Sequence, residues 1–155
     1  MKAAVLSHLL AKNKKAYFDY EILEKYVTGI VLTGAEVKSI KSGHVQLKGS
    51  FAAVVGGRVI VDHMHISPYK CAPIEGYEPT RRRELLLRKK EIEYLSGMSV
   101  QQGFTLIPLE LFLKKGLIKV LLGIGRGKKQ HDKRDVLKKR AITKEINQGL
   151  KNFAR

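Results

Sequence analysis

A single cysteine, Cys71, stands among 155 residues, which leaves no disulfide framework and no thiolate cluster for a metal. Long apolar runs are missing as well. No stretch approaches the roughly 20 residues that a membrane-spanning helix needs, so a membrane partner in that sense is excluded. The N-terminal MKAAVLSHLLAK is interrupted by Ser7 and His8 and is followed by no small-residue cleavage site, so residues 1–12 read as a short amphipathic helix rather than a secretion signal. Signatures of catalysis are also lacking: there is no nucleophile elbow, no Ser/Lys pair and no Cys/His pattern, and the few acids are scattered. GIGRGKK, from Gly123 to Lys129, has neither Walker spacing nor the dinucleotide fingerprint. His63-x-His65 places two imidazoles on one expected strand without an acid to complete a metal site, so both read as ordinary barrel residues. The expectation is a cytoplasmic protein with no catalytic role, metal or cofactor.

Acidic residues are the scarcest class relative to their opposites: 14 Asp+Glu face 30 Lys+Arg, a net charge of +16. Self-repulsion of that size points to a polyanionic partner. Nucleic acid leads, ahead of an anionic membrane surface and an acidic protein. The charge is uneven, since the eleven basic and three acidic residues from Arg126 to Arg155 give +8, half the total. The chain therefore divides into a mildly basic core, residues 1–125, and a basic tail, residues 126–155.

The apolar fraction, 44%, suffices for one core. Residues 17–32 read as a strand with a bulge at Gly29, and Ala35–Ser42 as a short helix closed by Gly43. Phe51–Val55 and Arg58–Ile66 flank Gly56-Gly57 and form a hairpin, with Val59, Val61, His63 and His65 on one face. Ser67–Pro79 is a loop. Thr80 caps a helix over Arg81–Leu95, with Leu85, Ile92 and Leu95 along one stripe. Phe104–Leu113 and Leu117–Ile124 form a second hairpin in which Ile118, Val120, Leu122 and Ile124 point inward and Lys119 outward. The fold class is mainly β: a closed or nearly closed barrel of OB type with one substantial and one or two short helices. Gly123, Gly125 and Gly127 read as a hinge to the tail. Beyond it, Ile142, Ile146, Leu150 and Phe153 make one apolar stripe on a helix otherwise covered by cations. So much like charge keeps an isolated helix marginal, so the tail is expected to be disordered when free and helical on a polyanion.

Three stretches are candidates for RNA contact. Lys12, Lys14 and Lys15 interleave with Tyr17, Phe18 and Tyr20, which suits phosphates and bases and equally suits a core strand beneath a solvated turn. Arg81-Arg82-Arg83 would add charge to a helix N-terminus. GKKQHDKRDVLKKR, residues 127–140, holds seven basic residues in fourteen, too dense for an ordinary solvated face.

Segments through nearly the whole chain carry a resemblance. They are Asn13-Lys14-Lys15-Ala16 with Asp19-Tyr20, GIVLTGAEVKSIKSG from Gly29, HISPY from His65, PTRRRELLL from Pro79, TLIPL from Thr105, KKGLIKV from Lys114 and GKKQHDKR from Gly127. In order and spacing the chain resembles the SsrA-binding protein family, SmpB. The resemblance implies an OB-fold core that binds the tRNA-like domain of transfer-messenger RNA (tmRNA) through Asn13, Leu86 and Lys119, with Lys14 and Lys15 of the charged stretch expected to join them. It implies a tail that enters the vacant mRNA channel of a stalled ribosome. There Gly127, Lys128, Lys129, His131, Asp132, Lys133 and Arg134 would lie near the decoding centre of the small-subunit RNA. The partners implied are tmRNA and the ribosome, with the free protein a monomer. One position departs from the family pattern: Val27 stands where an acid is frequent.

Overall fold

The computed structural model describes residues 8–101 and 103–153. In chain order the elements are β1 (His8–Lys12), α1 (Lys14–Asp19), β2 (Tyr20–Ile30), α2 (Gly34–Lys41), β3 (Val45–Gln46), β4 (Phe51–Val55), β5 (Arg58–Asp62), β6 (His65–Ile66), β7 (Arg83–Leu86), α3 (Lys89–Val100), β8 (Phe104–Lys114), β9 (Leu117–Gly127) and α4 (Gln130–Phe153).

Six antiparallel strands close a ring in the order β8-β4-β5-β7-β2-β9, because β9 also pairs with β8. β1 lies along β8 outside the ring, on the edge whose other end pairs with β4. The mainly β, OB-like barrel expected from the sequence is therefore present. Both hairpins turn on two residues with positive φ, Gly56-Gly57 and Lys115-Gly116, matching the twist of their strands. Val59, Val61, Leu85, Leu106, Leu111, Val120, Leu122 and Ile124 fill the interior, joined by Ile40 of α2 and Leu95 of α3. The inward alternation expected for β9 holds, with Lys119 on the outer face. Among the described residues no helix is long and apolar enough to cross a membrane.

Several local expectations are overturned. His8–Lys12 is strand rather than helix, drawn into pairing by the free edge of β8; residues 1–7 of that expected helix lie outside the described residues. Residues 17–19, expected as the start of a strand, belong to the helix Lys14–Asp19, because Asn13 caps it: its Oδ1 accepts the Ala16 N–H at 3.1 Å. The irregularity in β2 falls between Ile22 and Glu24, not at Gly29. β5 stops at Asp62, and His63 takes a left-handed φ of 60° that resets the alternation, so Met64 and Ile66 point inward and His63 and His65 do not continue the Val59–Val61 face.

The helix expected over Arg81–Leu95 is divided. Arg83–Leu86 is a strand between β5 and β2, alternating buried Arg83 and Leu85 with outward Glu84 and Leu86. The helix begins at Lys89, where the Glu91 carboxylate accepts the Arg88 N–H at 2.9 Å. Leu85 therefore shares no helical stripe with Ile92 and Leu95. Finally, the glycines at 123, 125 and 127 are no hinge. They belong to β9 and pair with both β8 and β2 through Gly125, and Gly127 still pairs with Tyr20.

Candidate nucleic-acid interface

The spacing of those glycines has a packing cause. Gly123, Gly125 and Gly127 alternate, so all three lie on the outer face of β9. A side chain at Gly123 would meet Leu109 Cδ1 at 2.6 Å, and one at Gly125 would meet Ile107 and Tyr20 at 3.1 Å. Glycine thus lets Leu109, Ile107, Ile22 and Tyr20 lie flat on the strand, where Ala16 of α1 closes a second small core over them. The barrel wall is double there, and α1 is fixed on its outside.

Asn13 holds this arrangement together. β8 bulges between Pro108 and Glu110, freeing carbonyls from the ladder. The Asn13 N–H donates to Leu109 O at 2.7 Å. Its side-chain amide donates to Pro108 O at 3.0 Å and to Leu47 O at 3.1 Å. With its Oδ1 on Ala16, the side chain is buried and fully engaged. Asn13 therefore spends both its amide N–H groups and an Oδ1 lone pair within the protein. It ties α1, the β8 bulge and the Leu47 turn to one another, and so sets the lysines beside it.

Those lysines converge. Lys12, Lys14, Lys15 and Lys48 surround Asn13 in one open concavity of about 390 Å³. Lys48 is distant in sequence and carries no motif, so only the bond from Asn13 to Leu47 reveals it. Lys12 and Lys25 also lie over the Tyr17 ring, 5.0 and 5.5 Å from its centre. The Tyr17 hydroxyl donates to Glu110 at 2.9 Å, and burial together with that carboxylate pushes its pKa up. Tyr17 and Tyr20 pack on the wall while the lysines face solvent.

Lys119 and Leu86 lie elsewhere on the outer face, on either side of Gly29. Gly29 of β2 pairs with Lys119 on one side and Leu86 on the other, so the three form one row across β9, β2 and β7. The missing side chain at Gly29 leaves a dip that Leu86 flanks: a Cβ there would stand 3.2 Å from that of Leu86. Leu86 is 55% exposed, and the row presents a cation beside an apolar step. Val27, in the departing position, is also exposed on this face, two residues along β2.

The arginine block does something different from phosphate binding. Glu36 of α2 is buried and accepts Arg81 at 2.6 and 2.8 Å, Arg83 at 2.8 and 3.0 Å, and the Thr33 N–H at 3.0 Å. Burial alone would raise its pKa, but the bonds from Arg81, the Thr33 N–H and Arg83 outweigh it and hold the carboxyl at about 2. Arg83 is also buried, and its remaining donors reach Met64 O, Arg81 O and Pro79 O, so all five N–H groups are used. No phosphate can reach it, and no helix begins there. Arg82 alone of the three is largely exposed, paired with Asp62 at 3.2 Å.

The tail leaves from the α1 side. The Lys128 N–H donates to Asp19 O at 2.8 Å, its Nζ reaches Tyr17 O at 3.2 Å, and Lys133 pairs with Asp19 at 3.2 Å. Arg140 lies 5.6 Å from the Phe18 ring centre. Asp132 accepts the Lys129 N–H at 3.2 Å and sits 3.0 Å from His131. Lys129, His131 and Arg134 are exposed. α4 has no buried residue, and Ile142, Ile146, Leu150 and Phe153 are exposed along it. Among the described residues no three His, Cys, Asp or Glu side chains gather as metal ligands.

A closed basic barrel carrying a long cationic helix has close counterparts. The family model described as SmpB protein matches residues 10–152. The chain belongs to the SmpB family. The match covers the barrel and nearly all of α4. The SsrA-binding protein of Geobacillus sp. (strain WCH70) is 50% identical over 143 residues, 92% of either chain. That of Bacillus subtilis (strain 168) is 47% identical over 144 residues, 93% of this chain and 92% of its own. A solved structure, "tmRNA-SmpB: a journey to the center of the bacterial ribosome", superposes with a TM-score of 0.66 at 44% identity, covering 77% of this chain and 85% of that one. In this SmpB-family chain, sequence reading missed Lys48 as a member of the lysine concavity and Glu36 as the partner that withdraws Arg81 and Arg83 from the surface. Neither has a local signal, because each acts on residues more than thirty positions away.

Proposed function

We propose that this protein is an RNA-binding adaptor, not an enzyme, that works in the cytoplasm in trans-translation. Its barrel binds the tRNA-like domain of tmRNA, and its tail reads whether the mRNA channel of a stalled ribosome is empty. The observation that carries the reading is the division of cations between two supports: lysines fixed on a rigid barrel, and a helix that buries nothing. A folded RNA suits the first surface, because its phosphates are met by preset charges at little ordering cost. A phosphate-lined channel suits the second, because it screens the repulsion along α4 and offers the helix the contacts it lacks alone. An intact mRNA would fill that channel and exclude the tail. Lys14, Lys15, Lys119 and Leu86 contact the tRNA-like domain in this reading, and Asn13 positions the lysines. Gly127, Lys128, Lys129, His131, Asp132, Lys133 and Arg134 serve at the decoding centre.

Truncation separates the two roles. The cut belongs after Lys128, since removing Gly125–Gly127 would strip paired residues from β9. The shortened protein should bind the tRNA-like domain nearly as well as the full chain while peptide tagging on stalled ribosomes is lost. Equal loss of both would favour a protein that resides on ribosomal RNA. Lys119→Ala should weaken binding by about 1–2 kcal/mol if Lys119 makes a charge-assisted phosphate contact; an unchanged affinity would return it to the ordinary surface.

A further inference from the structure

A second concavity, of about 300 Å³, opens beside the four lysines and shares Asn13 and Lys15 with them. Its remaining walls come from α1, the turn before β4 and the start of β8. They include Tyr20, Phe51, Thr105 and Asp19. Phe51 is 40% exposed although it is large and apolar. It is already half of a stack: the His63 ring lies against it with centres 5.4 Å apart and planes 28° from parallel. Phe51, one half of that aromatic pair, thus borders the concavity. Thr105 brings a hydroxyl that has no hydrogen-bond partner among the described residues. Gly49 at the rim holds a φ of +79° and would have nothing within 4 Å of a side chain, so the mouth is open.

The charges around this space are mixed. Lys15 and Asp19 both line it from α1, one helical turn apart, and Asp19 is tied to Lys133, while Lys48 stands with Lys15 in the adjoining concavity. A phosphate is drawn to Lys15 and Lys48 and repelled from Asp19. A hydroxyl or amino group is drawn to Asp19. The aromatic rings of Phe51 and Tyr20 in the lining favour a planar, apolar-faced group. A duplex cannot enter, because its bases are stacked and paired, and an isolated phosphate would leave the aromatic part empty.

We propose that this concavity takes one unpaired ribonucleotide of the bound RNA, with its base on Phe51 and its phosphate toward Lys15 and Lys48. The inference rests on the RNA-binding reading above and assigns it a subsite. Base stacking on an aromatic side chain and hydrogen bonding from a 2′-hydroxyl are the usual means by which unpaired RNA is gripped. The lysines provide affinity and the aromatic face selects a nucleotide that is free to unstack.

The test uses the full-length protein and an isolated tRNA-like RNA domain in which each unpaired nucleotide is replaced in turn by an abasic residue. For the wild-type protein, affinity should fall by about 5- to 150-fold at one such position, the range for a lost base stack. Phe51→Ala should lose a similar factor on unmodified RNA and lose nothing more at that one position. Phe51→Leu, which keeps an apolar side chain without the aromatic face, should behave like Phe51→Ala and guards against a folding defect, which thermal unfolding would report. Lys48→Ala should lower the slope of log affinity against log salt by about one, whereas both Phe51 variants leave that slope unchanged. Losses that add at every position, or Phe51 variants that bind like wild type, would overturn the subsite. A polyglutamate competing as well as an unstructured oligonucleotide would overturn it too, by showing charge alone to be read. Failure of the wild-type protein to bind any RNA of the set would instead remove the function on which the subsite rests.

Discussion

Glu36 shows how far a single side chain governs this molecule. It caps α2 from within and neutralises Arg83, a guanidinium with no access to water. Removing one member of such a pair leaves a buried charge uncompensated, so Glu36→Gln should cost about 3–5 kcal/mol in denaturant unfolding. A loss below about 1 kcal/mol would mean that water reaches Arg83. The pH dependence has a definite sign. The folded carboxyl is held at about 2, below its ordinary value of 4.5, so the folded state keeps it charged where the unfolded chain binds a proton. Its contribution is full above about pH 5 and is lost as pH falls toward 2. Wild-type stability should decline through that window, and the Glu36→Gln variant should show a shallower decline; parallel curves would contradict the assignment. Asn13 acts similarly, since its value lies in what it holds.

At the level of elements, β9 is the strand on which most depends. It pairs along its length with β8 and β2, buries Val120, Leu122 and Ile124 on one face, and lays bare glycines on the other. Because a Cβ at Gly123 would meet Leu109 at 2.6 Å, Gly123→Ala should overpack the outer core and destabilise the barrel by about 1–3 kcal/mol. Gly127 has nothing within 4 Å of the same position, and Gly127→Ala should stay within about 0.5 kcal/mol of wild type. Thermal unfolding of the two variants distinguishes packing from hinging, since a hinge would leave barrel stability indifferent to both. α3 and β7 teach the complementary point. Arg, Glu and Leu favour helix, yet Arg83–Leu86 is strand, paired with β5 on one side and β2 on the other while buried Arg83 bonds Glu36.

The whole molecule joins a stable ring to an extended helix that shares little with it. Lys128 and Lys133 fasten the root of α4 to Asp19 and Tyr17, and beyond that point Ile142, Ile146, Leu150 and Phe153 are exposed along the helix. Added RNA should therefore raise helical circular dichroism in the full chain more than in the protein cut after Lys128, with the barrel's melting transition the same in both. An equal response of the two would show the tail to be indifferent to polyanions. Binding of the tRNA-like domain should also fall steeply with salt, because several phosphates are neutralised together.

By itself the sequence determined the class of partner, the barrel and the division of charge. Net charge is additive along a chain, strand alternation is read over a few residues, and Gly56-Gly57 or Lys115-Gly116 announce their turns locally. The tertiary structure alone decided which cations are free. Nothing near Arg83 says that Glu36 will consume it, and nothing near Lys48 says that Asn13 will bring its turn beside Lys14 and Lys15. The alternate glycines looked like a loose joint because flexibility is a property of the isolated backbone. Once β8 and β2 occupy both edges of β9, the same bare positions become room for Leu109 and Ile107. Long-range pairing fixes burial, and burial determines whether a charge meets solvent, a ligand or another side chain.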